Sequence, residues 1–370
     1  MQANRLLDLF CELVRIESPS FSEAAMAARC AEELTSLGFE VRFDDSAPRV
    51  GSDTGNLIAR LPGTRPGQVV FSAHMDTVQP CAGIQPVVVD GIVRSAGDTI
   101  LSADDKAGVA AIFEALRSTL EADAPRPDIT VLLTTCEEQH LLGSSALAEG
   151  ELPEGAPCYV LDADGAPGTV ITGAPCHWTL NASFSGRAAH AGVCPEEGVS
   201  AIAMAAAAVA AMPLGRIDEA TTANIGCIEG GGATNVVPDA CALAGECRSL
   251  YAERAEAQKA AMSEALEAAA ARFGGEVSIE WTKSYDAVLF DEEDDIVQGI
   301  VRAARASGLE PRFQHSGGGS DANVLAACGV RPITLGVGMV DFHSADEHIA
   351  VADLEGAARL VEALIAEGIE

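Results

Sequence analysis

Val69-Val70-Phe71-Ser72-Ala73-His74-Met75-Asp76 reads as a strand that runs out into an imidazole and a carboxylate. Residues 69–73 leave almost no polar face, the pattern of a strand covered on both sides. Outward from it, apolar runs over 56–61, 129–135 and 158–161 alternate with a helical pattern over 106–120. That alternation predicts an α/β fold with a mixed, largely parallel sheet flanked by helices. Open sheets of this kind build their sites at the carboxyl ends of the strands, where His74 and Asp76 fall.

Upstream, Leu6, Leu7, Phe10, Leu13 and Val14 recur at helical spacing before a break at Ser18-Pro19. A second helix is predicted to follow, with Ser20 and Glu23 in capping-box spacing and Gly38 as its stop. The pattern changes after Gly173-Ala174-Pro175. Strands are predicted over 178–184, 222–228, 240–247 and 277–281, with helices over 197–211 and 252–273. This β-α-β-β-α-β order is that of a ferredoxin-like α+β unit. The α/β pattern then resumes with helices near 296–307, 321–328 and 351–365 and a strand over 332–337. The expected organisation is a catalytic domain over 1–176 and 287–370, interrupted by an inserted domain over 177–286.

At 370 residues and 38.0 kDa, the chain has room for two domains at about 150 residues each. Its 55 acidic and 23 basic residues leave a net charge of −32. Such a surface repels phosphate backbones and anionic lipids, so neither nucleic acid nor membrane is expected as a partner. Arg5, Asp8 and Glu12 interrupt the first apolar stretch, and the longest apolar run, 201–212, falls short of the ~20 residues a spanning helix needs. A cytoplasmic location is expected. The 11 cysteines include no C-x-x-C pair, so buried, reduced thiols are expected, with neither a disulfide framework nor a thiolate zinc site.

Four further segments resemble His74-Met75-Asp76 in placement. Ser102-Ala103-Asp104-Asp105-Lys106-Ala107-Gly108 puts two carboxylates at a predicted helix start, which suits capping as well as a carboxylate bridging two cations. Cys136-Glu137-Glu138 ends the apolar run 129–135, where adjacent carboxylates repel unless a cation or proton separates their roles. Asp162 closes the run 158–161, and His343 follows the late strand. Each has an ordinary structural reading alone, as a capping residue or a satisfied histidine. Together they supply two histidines and three carboxylates from one sheet. With Asp104 bridging, each of two ions has three nitrogen or oxygen ligands, a set suited to Zn²⁺, Co²⁺ or Mn²⁺.

On these motifs the sequence resembles the co-catalytic di-zinc peptidases, a family that includes tripeptidase T, carboxypeptidase G, aminoacylase and succinyl-diaminopimelate desuccinylase. The likeness runs along the whole chain. It is strongest to the tripeptidase T-like branch, through Ala103-Asp104-Asp105-Lys106-Ala107-Gly108, Leu161-Asp162-Ala163-Asp164-Gly165, and His190-Ala191-Gly192 with Pro195-Glu196. The resemblance implies that His74 and Asp162 hold one Zn²⁺, Glu138 and His343 the other, and that Asp104 bridges them. It further implies that Asp76 orients His74 and that Glu137 is the general base. His190 would assist the oxyanion, and Asn235, Arg248 and the glycine loop at Gly318 would contact substrate. The inserted domain would act as lid and homodimer interface. Short peptides are the implied substrates, with carboxypeptidase or N-acyl amino acid amidohydrolase activity as the alternative. Departures from the branch are His315-Ser316 before the glycines, where an Arg is expected, and Cys136 and His140 beside the acidic pair.

Overall fold

In the computed structural model, which describes residues 1–367, the opening run becomes the strand Gln68–His74, buried from Val69 onward. Its alternate residues serve two cores. Val69, Phe71 and Ala73 join a cluster with Leu6, Phe10, Phe113 and Leu360, whereas Val70 joins Leu132, Cys158 and Leu325. A one-residue slip would exchange these sets, and each buried Leu or Phe contributes about 1.5–3 kcal/mol, so the register is firmly set.

The strand pairs in parallel with Asp128–Thr134, from Gln68↔Asp128 to His74↔Thr134, and with Pro157–Asp164. Pro157–Asp164 pairs in parallel with Arg331–Val340. All four strands therefore end on one edge of the sheet. Outside this centre the pairing is antiparallel, with Leu57–Leu61 and Glu40–Phe43 on one flank and His348–Ala350, Ile92–Ser95 and Pro86–Val89 on the other. The Pro86–Val89/Ile92–Ser95 hairpin has no counterpart in the sequence reading. Its signal was Asp90-Gly91, both residues at positive φ, the dipeptide that two-residue hairpins favour.

Helix Ala103–Glu121 is buried on nearly every side, packed against the sheet and the helices Ala3–Leu13 and Val351–Glu367. Close approach requires Gly108, where a Cβ would lie 2.3 Å from the Leu161 carbonyl oxygen. The capping box expected at Ser20 and Glu23 does not form: helix Ala24–Ser36 begins with no side-chain cap, and both side chains are engaged elsewhere. A capping box does form at Ser320 and Asn323, on the short helix Asp321–Leu325.

The chain divides into two units, one of Met1–Thr172, Phe290–Ser316 and Ser320–Glu370, the other of Gly173–Leu289 with Gly317–Gly319. The second contains a five-stranded antiparallel sheet ordered Gly215–Arg216, Thr221–Gly230, Ala240–Ser249, Cys176–Ser185, Glu276–Tyr285. Met204 and Met262, from the helices Ala201–Ala211 and Ala252–Phe273, pack with Leu180, Phe184 and Leu243 of that sheet. The first of these helices starts at Ala201, four residues later than the sequence suggested. Ser200 accepts from Ala203 N–H, while Val199 bridges to Arg187 and so keeps the chain extended up to the cap. Among the described residues no helix is long and apolar enough to cross a membrane.

Candidate metal and catalytic centre

His74 ends the strand Gln68–His74 and is 2 % exposed. Its Nδ1 lies 2.9 Å from the main-chain oxygen of Asp76 and 3.4 Å from Asp76 Oδ1. With Nδ1–H given to that main-chain oxygen, Nε2 is the ring nitrogen that faces the cluster. There Nε2 lies 3.0 Å from Asp104 Oδ1 and 3.7 Å from Asp162 Oδ1.

Asp104 stands between two imidazoles. Its second oxygen, Oδ2, lies 3.1 Å from His343 Nε2, which is also 2.8 Å from Glu138 Oε1. His343 sits at φ 61°, and its ring meets Phe342 edge-on at 5.1 Å. Ligand atoms of His74, Asp104 and Glu138 fall within 4.8 Å of one another, as do those of His74, Asp105 and Asp162. The sequence motif around Asp104 contains Asp105 but assigns it no role in the site. Its carboxylate accepts from the backbone N–H groups of His74 (3.2 Å) and Gly108 (3.2 Å).

The electrostatics of this pocket favour bound cations. Burial pushes the carboxyls of Asp105, Asp162 and Glu137 well above the usual range. Hydrogen bonds to Asp104 and Glu138 raise His343 to about 10. Burial also opposes ionisation of Asp104, but hydrogen bonds from His343 and His74 outweigh it and hold this carboxyl below its usual value. Two imidazoles among crowded carboxylates are a nitrogen and oxygen donor set for divalent ions, which would replace the protons these groups otherwise retain.

Glu137 and Glu138 follow Cys136, whose φ is 52°. Asp76, fully buried, uses its carboxylate to accept the N–H groups of Glu137 (2.9 Å) and Glu138 (3.2 Å) and the Ser20 hydroxyl (2.7 Å). Sequence reasoning missed several groups that hold the site. Glu347 accepts three backbone N–H groups from Leu101, Ser102 and Asp104. Buried Asp321 accepts from the Thr134 hydroxyl at 2.5 Å. Fully buried Lys106 donates to the Ile16 carbonyl at 2.6 Å.

The other expected residues belong to the second unit. His190 is exposed on the short strand Ala189–His190, paired with Val236, and its Nδ1 accepts from Gly192 N–H at 3.1 Å. The main-chain oxygen of Asn235 accepts from Ala191 N–H at 2.9 Å. Arg248 is engaged by Glu246 through Nε and Nη2, both at 3.0 Å. Gly318 lies in the loop Gly317–Gly319 of the second unit.

Residues 70–367 match the model of peptidase family M20/M25/M40. The chain belongs to this family. It is 43 % identical to a crystal structure of aminopeptidase PepT from Bacillus cereus, with a TM-score of 0.93 and 99 % of both chains covered. A tripeptidase from Staphylococcus aureus is 36 % identical, with a TM-score of 0.94, covering 99 % of this chain and 98 % of that one. The uncharacterized protein YqjE of Bacillus subtilis is 42 % identical over 364 residues, 98 % of each chain. The protein is accordingly an M20 peptidase.

Proposed function

We propose that this M20 peptidase is an aminopeptidase acting on short peptides, tripeptides in particular, with two divalent cations in the site. His74 and Asp162 would hold one, Glu138 and His343 the other, and Asp104 both. The observation that carries this reading is Asp104, whose two oxygens each face a different imidazole. The similarity to PepT and to the tripeptidase supports the substrate class. Zn²⁺ is proposed first, with Co²⁺ and Mn²⁺ as alternatives that suit the same donors. When bound, such ions supply Lewis acidity, polarising the scissile carbonyl and lowering the pKa of water.

The chain's own residues do the rest. Glu137 takes a proton from the attacking water and returns it to the leaving amine. His190, with Nδ1 occupied by Gly192 N–H, offers Nε2–H as a donor to the carbonyl oxygen as its charge develops. Arg248 would exchange Glu246 for the substrate's carboxylate, which a guanidinium binds bidentately. Asn235 and the backbone at Gly318 would line the peptide. An inserted domain over 177–286 would serve as lid and homodimer interface, and eleven free cysteines suit a cytoplasmic enzyme.

The test is hydrolysis of a tripeptide and its N-acetylated twin by protein stripped with a chelator and reloaded with Zn²⁺, Co²⁺ or Mn²⁺. Metal-dependent cleavage of the free peptide alone supports the aminopeptidase. Preference for the acetylated twin would move the activity to N-acyl amino acid hydrolysis.

A further inference from the structure

The Cys136-Glu137-Glu138 turn presents three consecutive backbone N–H groups, and two buried carboxylates take all three. Cys136 N–H donates to Glu23 Oε1 at 3.0 Å, Glu137 N–H to Asp76 Oδ1 at 2.9 Å, and Glu138 N–H to Asp76 Oδ2 at 3.2 Å. Both carboxylates are fully buried. Both also lead back to the short segment before helix Ala24–Ser36. Ser20 donates its hydroxyl to Asp76 Oδ2 at 2.7 Å and receives Gln139 Nε2 at 3.4 Å. Glu23 Oε1 additionally accepts from Phe21 N–H (3.1 Å) and from the Cys136 thiol (3.2 Å), and its Oε2 accepts from the Ser52 hydroxyl (2.6 Å).

Ser20 and Glu23 have the spacing of a helix cap, yet neither side chain caps the helix. The first helical N–H, that of Ala24, goes to Asp53 Oδ1 at 2.9 Å, and the Glu23 carboxylate turns toward Cys136. Cys136 needs this support because a φ of 52° is disfavoured for a residue with a side chain. The turn cannot relax to an extended strand end without breaking the Glu23 contacts, and its conformation sets where the Glu137 carboxylate points.

We infer that Glu23, assisted by Ser20, is a positioning residue for the general base: it fixes the Cys136–Glu138 turn so that the Glu137 carboxylate stands at the reacting centre. The inference rests on the proposed role of Glu137. Glu23 itself touches neither substrate nor cation and acts through the Cys136 peptide.

The test compares Glu23→Ala, Glu23→Gln, Ser20→Ala and Glu137→Gln in the metal-loaded, full-length enzyme. Tripeptide kcat, KM, bound metal per chain and Tm are measured for each. Glu23→Ala is expected to lower kcat by about 10- to 100-fold, the scale on which small misplacements act, with KM and metal content unchanged. Glu23→Gln keeps an acceptor for Cys136 N–H and can donate its amide to Ser52, so it restores most of kcat. A structural role alone would lower Tm in both variants and leave kcat per folded chain intact.

Wild-type kcat in folded Glu23→Ala, or a Glu23→Gln as impaired as Glu23→Ala, overturns the inference. Should Glu23→Ala not fold, Ser20→Ala decides: a fall in kcat at constant KM is expected, and wild-type kcat overturns it. An active Glu137→Gln would instead remove the general base itself, so the two failures are distinguishable.

Discussion

Replacing Glu347 by Gln should weaken metal binding without removing any of the proposed ligand side chains. Glu347 is 1 % exposed and lies four residues beyond His343. Its Oε2 accepts from Leu101 N–H at 2.7 Å and Ser102 N–H at 2.8 Å, and its Oε1 from Asp104 N–H at 3.0 Å. One side chain thus ties the segment that carries His343 to the segment that carries Asp104. Ser102, at φ 61°, is in the same left-handed region as Cys136 and depends on this clamp. Hydrogen bonds to a charged group contribute about 1.5–3 kcal/mol each, and a buried N–H left without an acceptor costs about 1–3 kcal/mol. Glutamine retains one acceptor oxygen and turns an amide N–H₂ against the other donors, so a loss of about 1–3 kcal/mol is expected. If half of that falls on the position of Asp104, cation affinity drops by about 2- to 13-fold, reaching the lower end of the range for groups that orient ligands. The assay is competition for Zn²⁺ against a chromophoric chelator, with Tm measured on the same samples. Unchanged affinity alongside a lowered Tm would show that Glu347 supports the loops without placing Asp104, and would refute the reasoning.

Gly108→Ala should destabilise the protein by about 1–3 kcal/mol or more, as overpacking does, because its Cβ would meet the Leu161 oxygen at 2.3 Å and Asp105 Oδ1 at 2.5 Å. Gly232→Ala, in open space, should leave Tm within about a degree, since exposed substitutions are near neutral; thermal denaturation distinguishes the two. In the second unit, the hydrogen bond from His177, opposed by burial and aided by Arg248, lowers Glu246 from 4.5 to about 2. A depressed carboxyl stabilises the fold above its unfolded pKa and loses that contribution as pH falls through the folded value. The Tm difference between wild type and Glu246→Gln should therefore be full at pH 6 and close as pH falls from about 4.5 to about 2; a constant difference would contradict the assignment.

Much of the centre was legible because its signals are local. An apolar strand followed at once by His74, by Glu137-Glu138 or by Asp162 declares a sheet edge, and parallel pairing brings those edges together. The supporting groups were not legible for equally physical reasons. Ser20 and Glu23 satisfy a capping pattern, and only the tertiary fold turns their side chains to Asp76 and Cys136. Nothing local separates Glu347 from its neighbour Asp346, although one accepts three buried N–H groups and the other is exposed. Asp105 joins the cluster because helix Ala103–Glu121 departs from helical angles at Asp104 and Asp105, which a sequence pattern does not reveal. The Glu246–Arg248 pair could have been read, since residues two apart on a strand share a face. The helix expected over 197–211 begins at Ala201 because Ser200 caps it, whereas Pro195–Glu197 forms a separate short turn of helix.

The central claim is that Glu137 moves the proton in a site whose cations are held by other residues. It is tested most directly by Glu137→Gln, with tripeptide turnover and bound metal measured on the same preparation. The account predicts wild-type metal content with kcat reduced by about 10²–10⁴-fold, the range for loss of a general base. Turnover near that of the wild type, at equal metal content, would contradict it.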